Sequence, residues 1–339
     1  VVRVILAVLL VAPTVVLFAT ARSSTQDRER IASQELLGVD YLRALQPLTA
    51  ALLSAEGDAV AGRPVSTATL TQAASTVDSV SARSGDALGL KDRWTGLRAA
   101  IAALPPAGSP QAMYAAYSGA ADLLLALYQR LEQTSQLAND PQTDTASLQR
   151  VAVVDLPQIS VGISRYADLV QLGAGEDITP IALANLLAQR LEVGPPGRDL
   201  VESLQEAVAN TASTTLSGDL LGEQDGIRQA VDAVSTSNSP TGGRITAADV
   251  SAAGTLRARS ADAAAALSAK VLNALGELIG QRRDAAVSDL RRDEFALGAA
   301  GALIFLVVVL ELTGWRRRRR FEPAVEPVLP ERERVGAAR

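Results

Sequence analysis

The sequence predicts an all-α protein: an elongated antiparallel helical bundle, in one module or two stacked ones, flanked by two transmembrane helices. Three observations lead there. Aromatic residues make up only 3% of a chain that is 48% hydrophobic, and Ala, Leu and Val dominate. Ala and Leu lose little on entering a helix, whereas sheets select aromatic and β-branched residues. Apolar residues recur at helical spacing between Pro and Gly breaks, and a long apolar run lies near each end.

The first run, Val4 to Ala21 (VILAVLLVAPTVVLFATA), follows Arg3 and has 18 residues, just enough to cross a bilayer core as a helix. Residues 1–21 are thus a first transmembrane helix. Ala19-Thr20-Ala21 also fits a small-residue cleavage site, so a removed signal peptide is the competing reading.

Residues 22–294 form the extracytoplasmic domain. Pro and Gly divide it into expected helices at 23–61, 67–85, 91–104, 111–138, 143–172, 180–193, 198–217 and 222–237, with a last helix from 247 onward. Leu123, Leu124, Leu127, Leu131 and Leu137 make one apolar stripe, and Ile159, Ile163, Tyr166, Val170 and Leu172 another. Both are expected to face other helices. From Leu267 through Val271, Leu275, Leu278, Val287 and Leu290 to Phe295 no Pro intervenes, so the last helix is expected to run on into the second span.

That span, Phe295 to Trp315, ends in Arg316, Arg317, Arg318, Arg319 and Arg320. Five arginines closing an apolar run are a stop-transfer signal and, by the positive-inside rule, put the C-terminus in the cytoplasm. Arg3 argues the same for the N-terminus, giving a two-pass protein of the cell membrane in contact with lipid. Residues 316–339, basic and then rich in Pro and charge, are expected to form a disordered cytoplasmic tail.

Composition excludes much chemistry. The chain has no Cys and no His, so thiol nucleophiles, imidazole bases and Cys/His metal sites are ruled out. Between Arg22 and Phe295 there are 23 Lys plus Arg against 32 Asp plus Glu, a net acidic balance that argues against nucleic acid as a partner. The carboxylate pairs Glu202/Glu206 and Asp284/Asp289 read as solvated helix faces. The glycines at Gly173, Gly175, Gly242 and Gly243 lack the strand and Lys-Ser/Thr of a phosphate loop and read as turns. No cofactor or metal is expected, and the chain does not read as an enzyme.

Three segments carry a family resemblance. Glu35-Leu-Leu-Gly-Val-Asp-Tyr-Leu-Arg-Ala-Leu-Gln-Pro-Leu48, Leu88-Gly-Leu-Lys-Asp-Arg-Trp94 with Leu97-Arg98, and Ser135-Gln-Leu-Ala-Asn-Asp-Pro141 with Val153-Val-Asp-Leu-Pro157 resemble the extracytoplasmic sensor region of bacterial methyl-accepting chemotaxis proteins. The last helix, with Leu275, Leu278, Gln281-Arg282 and Arg291-Arg292, is similar to that family's exit helix. The resemblance implies a homodimeric sensor that takes a small molecule (an organic acid, an amino acid or an anion) and signals by displacing its terminal helix. Asp144-Thr-Ala-Ser-Leu148 lacks the Tyr and Met-Asp of the family's run at that place, so no ligand identity carries over. The 19 residues after Arg320 are too few for a HAMP linker or an output domain. The expectation is a sensor without its own output, one that has lost it, or one that works with a separate signalling protein. A structural or partner-binding envelope protein is the alternative. Candidate ligand contacts are the polar and aromatic residues of these segments and of the helix that follows: Tyr41, Arg43, Arg93, Trp94, Asn139, Asp140, Arg165 and Tyr166.

Overall fold

The computed structural model describes residues 2–136, 143–210, 214–236 and 243–319, with most side chains before residue 22 and after residue 292 left out. Among the described residues the regular elements are helices, and the fold is all-α. They are α1 (Val2–Val60), α2 (Thr67–Ser84), α3 (Lys91–Ala102), α4 (Pro110–Thr134), α5 (Thr143–Arg150), α6 (Leu156–Leu172), α7 (Pro180–Asn210), α8 (Thr214–Thr236) and α9 (Ala247–Arg319). Isolated bridges join Ala174 to Ile245 and Asp177 to Arg244. The chain divides into two units, residues 26–286 and, as the other, the terminal stretches before and after them. In the terminal unit, the expected spans at 4–21 and 295–315 are helical in backbone, and the Phe295 and Phe305 side chains are exposed. The tail from Arg320 lies outside the described residues.

Helix ends follow local chemistry. Ser109 caps α4 by accepting from the Ala112 N–H at 3.3 Å, ahead of Pro110. Thr246 and Asp249 form a reciprocal box at the start of α9: the Asp249 carboxylate accepts from the Thr246 N–H at 2.8 Å, and the Thr246 hydroxyl accepts from the Asp249 N–H at 3.3 Å. Each satisfies an otherwise orphaned donor. α1 gives way to a turn at Gly62, whose φ of 67° only glycine adopts without strain.

Prolines produce two departures from expectation. The helix expected over 143–172 is divided by a π-turn, Val151–Asp155, where the Leu156 N–H reaches back to the Val151 carbonyl. Pro157 brings no donor, and its ring would clash with the carbonyl four residues earlier. The wider turn relieves that clash. Conversely, Pro195 and Pro196 lie inside a continuous α7 where a break was expected. They free the carbonyls of Leu191 and Glu192, both solvent-exposed residues, so water can satisfy what the prolines leave open.

The core of residues 26–286 draws on all of these helices. Leu45, Leu48 and Leu52 of α1, Leu124 and Leu127 of α4, Ile163 of α6, Leu200 of α7, Val234 of α8 and Leu267 and Leu275 of α9 are all fully or almost fully buried. The stripe through Ile159, Ile163, Tyr166 and Val170 is buried as expected, while its last member, Leu172, is half-buried. The stripe on α4 holds at Leu124, Leu127 and Leu131, but Leu123 is 44% exposed because it turns one position off the buried face. Leu137 lies outside the described residues. One helical segment among the described residues, Ala247–Arg292, is long and apolar enough to cross a membrane. It carries Lys270 and Glu277, and its Leu267, Val271, Leu275 and Ile279 are fully buried in the core. Core packing accounts for these four residues, while only 33% of the segment's most apolar stretch is buried.

Two glycines admit arginines into this packing. A Cβ on Gly57 would lie 1.6 Å from Arg257 Nη1, and one on Gly276 would lie 2.7 Å from Arg43 Nη2. Within a helix, replacing Gly by Ala is ordinarily stabilising by about 1 kcal/mol. Gly57→Ala is expected to do the reverse, lowering stability by about 1–3 kcal/mol as Arg257 is driven from its buried partner. Urea denaturation of the two proteins checks the sign.

Candidate functional site

Four charged side chains meet inside the helices at places that read as apolar positions. Glu56 follows Leu48 and Leu52 on the inward stripe of α1, Asp168 follows Ser164 on α6, and Arg257 lies between the buried Ala253 and Ser260 on α9. Glu56 and Asp168 are both fully buried. Arg257 Nη2 donates to the Asp168 carboxylate and, at 3.0 Å, to the Ser164 carbonyl. Ser118 of α4 donates to Glu56 at 2.8 Å. Arg165, the fourth, donates to Asp122 at 2.5 Å and to the Ser118 carbonyl at 3.2 Å. Glu56 Oε2, Asp168 Oδ2 and Arg257 Nε have no hydrogen-bond partner among the described residues.

Burial dominates the electrostatics. It raises the Glu56 carboxyl well above the usual range, with the Asp168 carboxylate second among the causes. It raises Asp168 as well, against the pull of Arg257. In the π-turn, Asp155 is buried beside Arg150, 3.7 Å away, and burial pushes it up to about 7. An isolated carboxylate out of water is costly, so each of these acids takes up a proton more readily than it would in solution.

Next to this cluster opens a cleft of about 570 Å³, within the size range of small-molecule pockets. Its walls are α1, through Arg43, Pro47, Ala50 and Ser54, and α9, through Arg257, Ala258, Ala261, Ala265 and Ala269. Its floor is Tyr128 of α4 with Leu156, Pro157, Ser160 and Ser164 of α6. The gap exists because α9 presents small alanines at 258, 261, 265 and 269, spaced i, i+3, i+7 and i+11 along one helix face. The wall alanines at 258, 261, 265 and 269 are exposed, while Tyr128, Leu156, Pro157 and Ser164 on the floor are buried. The mouth is therefore open to solvent and the floor is part of the core. At one end Arg43 Nη2 donates to the Leu272 carbonyl at 3.1 Å, tying α1 to α9.

The residues expected to contact a ligand are dispersed. Arg43 lines the cleft, and Arg165 belongs to the neighbouring charge cluster. Tyr41 is fully buried. Trp94 is buried too, its indole N–H donating to Asp78 at 2.8 Å. Arg93 is exposed. Tyr166 packs inside with the Arg190 guanidinium 5.8 Å from its ring centroid, a cation–π distance. Asn139 and Asp140 lie outside the described residues, as does Arg320. Arg316 to Arg319 are helical in backbone. Glu56, Asp168 and Arg257 were not singled out in the sequence. Their signal was there, an ionisable residue at a position where the helical period demands an apolar one, but it becomes specific only when the partners are known. Comparison of the chain with protein-family models, with curated proteins and with solved structures finds no match.

The raised acids set a direction for pH dependence. Each binds its proton more tightly in the folded state, so its contribution to stability is full below the ordinary carboxylate range and is lost as pH rises through the raised value, about 7 for Asp155. The melting temperature is expected to fall between about pH 5 and 8. Glu56→Gln, which cannot ionise, should flatten that slope and raise the melting temperature at the alkaline end by about 2–4 °C. Thermal scans of both proteins across pH measure it.

Proposed function

We propose that this chain is a membrane-anchored sensor. In this reading an extracytoplasmic helical bundle is flanked in sequence by two transmembrane helices with both termini in the cytoplasm, as the resemblance to chemoreceptor sensor regions suggests. A small molecule enters the cleft and shifts α9 against α1, and the shift is handed to a separate signalling protein. The observation that carries the proposal is the identity of the cleft's walls. They are α1 and α9, the two helices whose sequences also contain the apolar runs at 4–21 and 295–315. A ligand moves such an equilibrium only by binding one arrangement of the two helices better than the other. The tie between Arg43 and the Leu272 carbonyl is one contact that such a shift would break.

The test is a thermal-shift screen of the full chain in lipid nanodiscs against organic acids, amino acids, inorganic anions and neutral amphiphiles. A compound at 100 times its dissociation constant stabilises by about 2.7 kcal/mol. A saturable rise that the cleft-filling Ala265→Phe removes is the expected outcome. Silence across the panel from a folded chain would sink the sensing proposal.

A partner-binding role has one observation in its favour. Ile181, Leu187 and Leu191 of α7 are 74%, 45% and 75% exposed, three large apolar residues on one helix face. If that face seats a second copy, Leu191→Glu is expected to lower the mass of the assembly in sedimentation velocity. An unchanged mass removes α7 from the interface.

A further inference from the structure

The cleft also carries information about the charge of what it takes, and this inference rests on the sensing proposal. Three arginines line it, which at first sight suggests an anion. Each is already matched. Arg43 pairs with Asp40 at 3.0 Å, Arg63 with Asp58 at 2.8 Å, and Arg257 with the buried Asp168. An anionic ligand that drew Arg257 away would leave Asp168 and Glu56 side by side without their guanidinium, and removing one partner of a buried ion pair is far costlier than the pair itself. A cation fares no better. Glu56 does not line the cleft, and the carboxylate that does, Asp58, is engaged by Arg63.

Two neutral groups are unmatched. Ser164 on the floor and Ser268 on the α9 wall line the cleft and are 1% and 2% exposed, and their hydroxyls have no hydrogen-bond partner among the described residues. The nearby hydroxyls of Ser160 and Ser260 are satisfied internally, donating to the carbonyls of Leu156 and Arg257. The rest of the lining mixes apolar residues, among them Leu53, Leu156, Pro157, Ala261, Ala265 and Leu272, with the polar Gln46, Thr49, Ser54 and Asn273. The depth argues for a small molecule. The floor belongs to α4 and α6, behind the layer of α1 and α9, where a helix docking on the outer surface cannot follow.

We propose that the cleft selects an uncharged small molecule, an apolar body carrying a hydroxyl, amide or carbonyl head that hydrogen-bonds with Ser164 or Ser268. Buried hydroxyls that wait for a partner discriminate by the cost of leaving them unpaired, and the alanine wall accepts an aliphatic or aromatic body without a shape of its own.

The test uses matched compounds with one body and different heads: 4-phenylbutanol, 4-phenylbutanamide and 4-phenylbutanoate. Each is titrated at neutral pH against the full chain in nanodiscs, with empty nanodiscs subtracted, by saturation-transfer NMR. The alcohol and the amide are expected to bind saturably and at least about ten-fold tighter than the carboxylate. The double variant Ser164→Ala with Ser268→Ala should weaken the neutral pair by about ten-fold and leave the carboxylate unchanged, and Ala265→Phe should remove all three. A preference for the carboxylate would overturn the neutral-head assignment while leaving the sensing proposal standing, since the thermal screen responds to any bound compound. Neutral binding that ignores both variants, or no saturable neutral binding in a chain that still melts cooperatively, would overturn the assignment as well.

Discussion

The ion pair between Arg257 and Asp168 is the constraint around which the helical body is arranged. It joins α9 to α6 across the interior, and the guanidinium keeps its place there only beside a glycine at position 57, because a Cβ would displace it. Arg257 also contributes to the cleft wall, so one side chain serves the core and the opening. A buried pair of this kind adds little net stability compared with a well-packed apolar substitute, but once present it cannot lose one member cheaply. The relation of α9 to α6 is therefore held by geometry more than by oily contact.

Around that pair the interior holds further carboxylates. Glu56 lies beside Asp168, held by the Ser118 hydroxyl, and Asp155 sits in the π-turn that Pro157 imposes. The same proline forms part of the cleft floor. Backbone irregularity, buried acid and open cleft thus occupy one region of the fold, while the faces of α2 and α3 pack conventionally through Val77, Trp94 and Leu97. The three sequence segments that suggest a chemoreceptor-like sensor divide along this line. Leu42, Leu45, Leu48, Leu88, Leu90 and Trp94 are core residues, whereas Arg43, Leu156 and Pro157 reach the cleft. Most of what makes those segments recognisable is therefore helix packing.

How much was legible beforehand follows the physics of each feature. Helical periodicity is local, so the all-α class and the inward face of α6 could be read directly. Helix limits were less secure where a proline's effect depends on its surroundings. Pro157 creates a π-turn because its helix is packed and must continue, and Pro195-Pro196 is tolerated because the freed carbonyls belong to exposed residues. Of the described residues singled out as ligand contacts, Arg43 alone reaches the cleft. Trp94 and Tyr41, chosen as polar-tipped aromatics, turned inward because a large ring gains more from burial than its one polar atom loses.

The sequence by itself determined the helical class, the absence of Cys and His chemistry, the acidic middle with its arginine-closed apolar end, and the alanine-rich period of the last helix. Each depends only on composition or on spacing along one chain segment. Tertiary structure decided that Glu56, Asp168 and Arg257 share one interior site, that Gly57 exists to let an arginine pass, and that the alanines of α9 leave a cleft with two unmatched hydroxyls. Those facts concern residues up to about two hundred positions apart, and long-range pairing is set by how the helices pack together, which no single helix encodes.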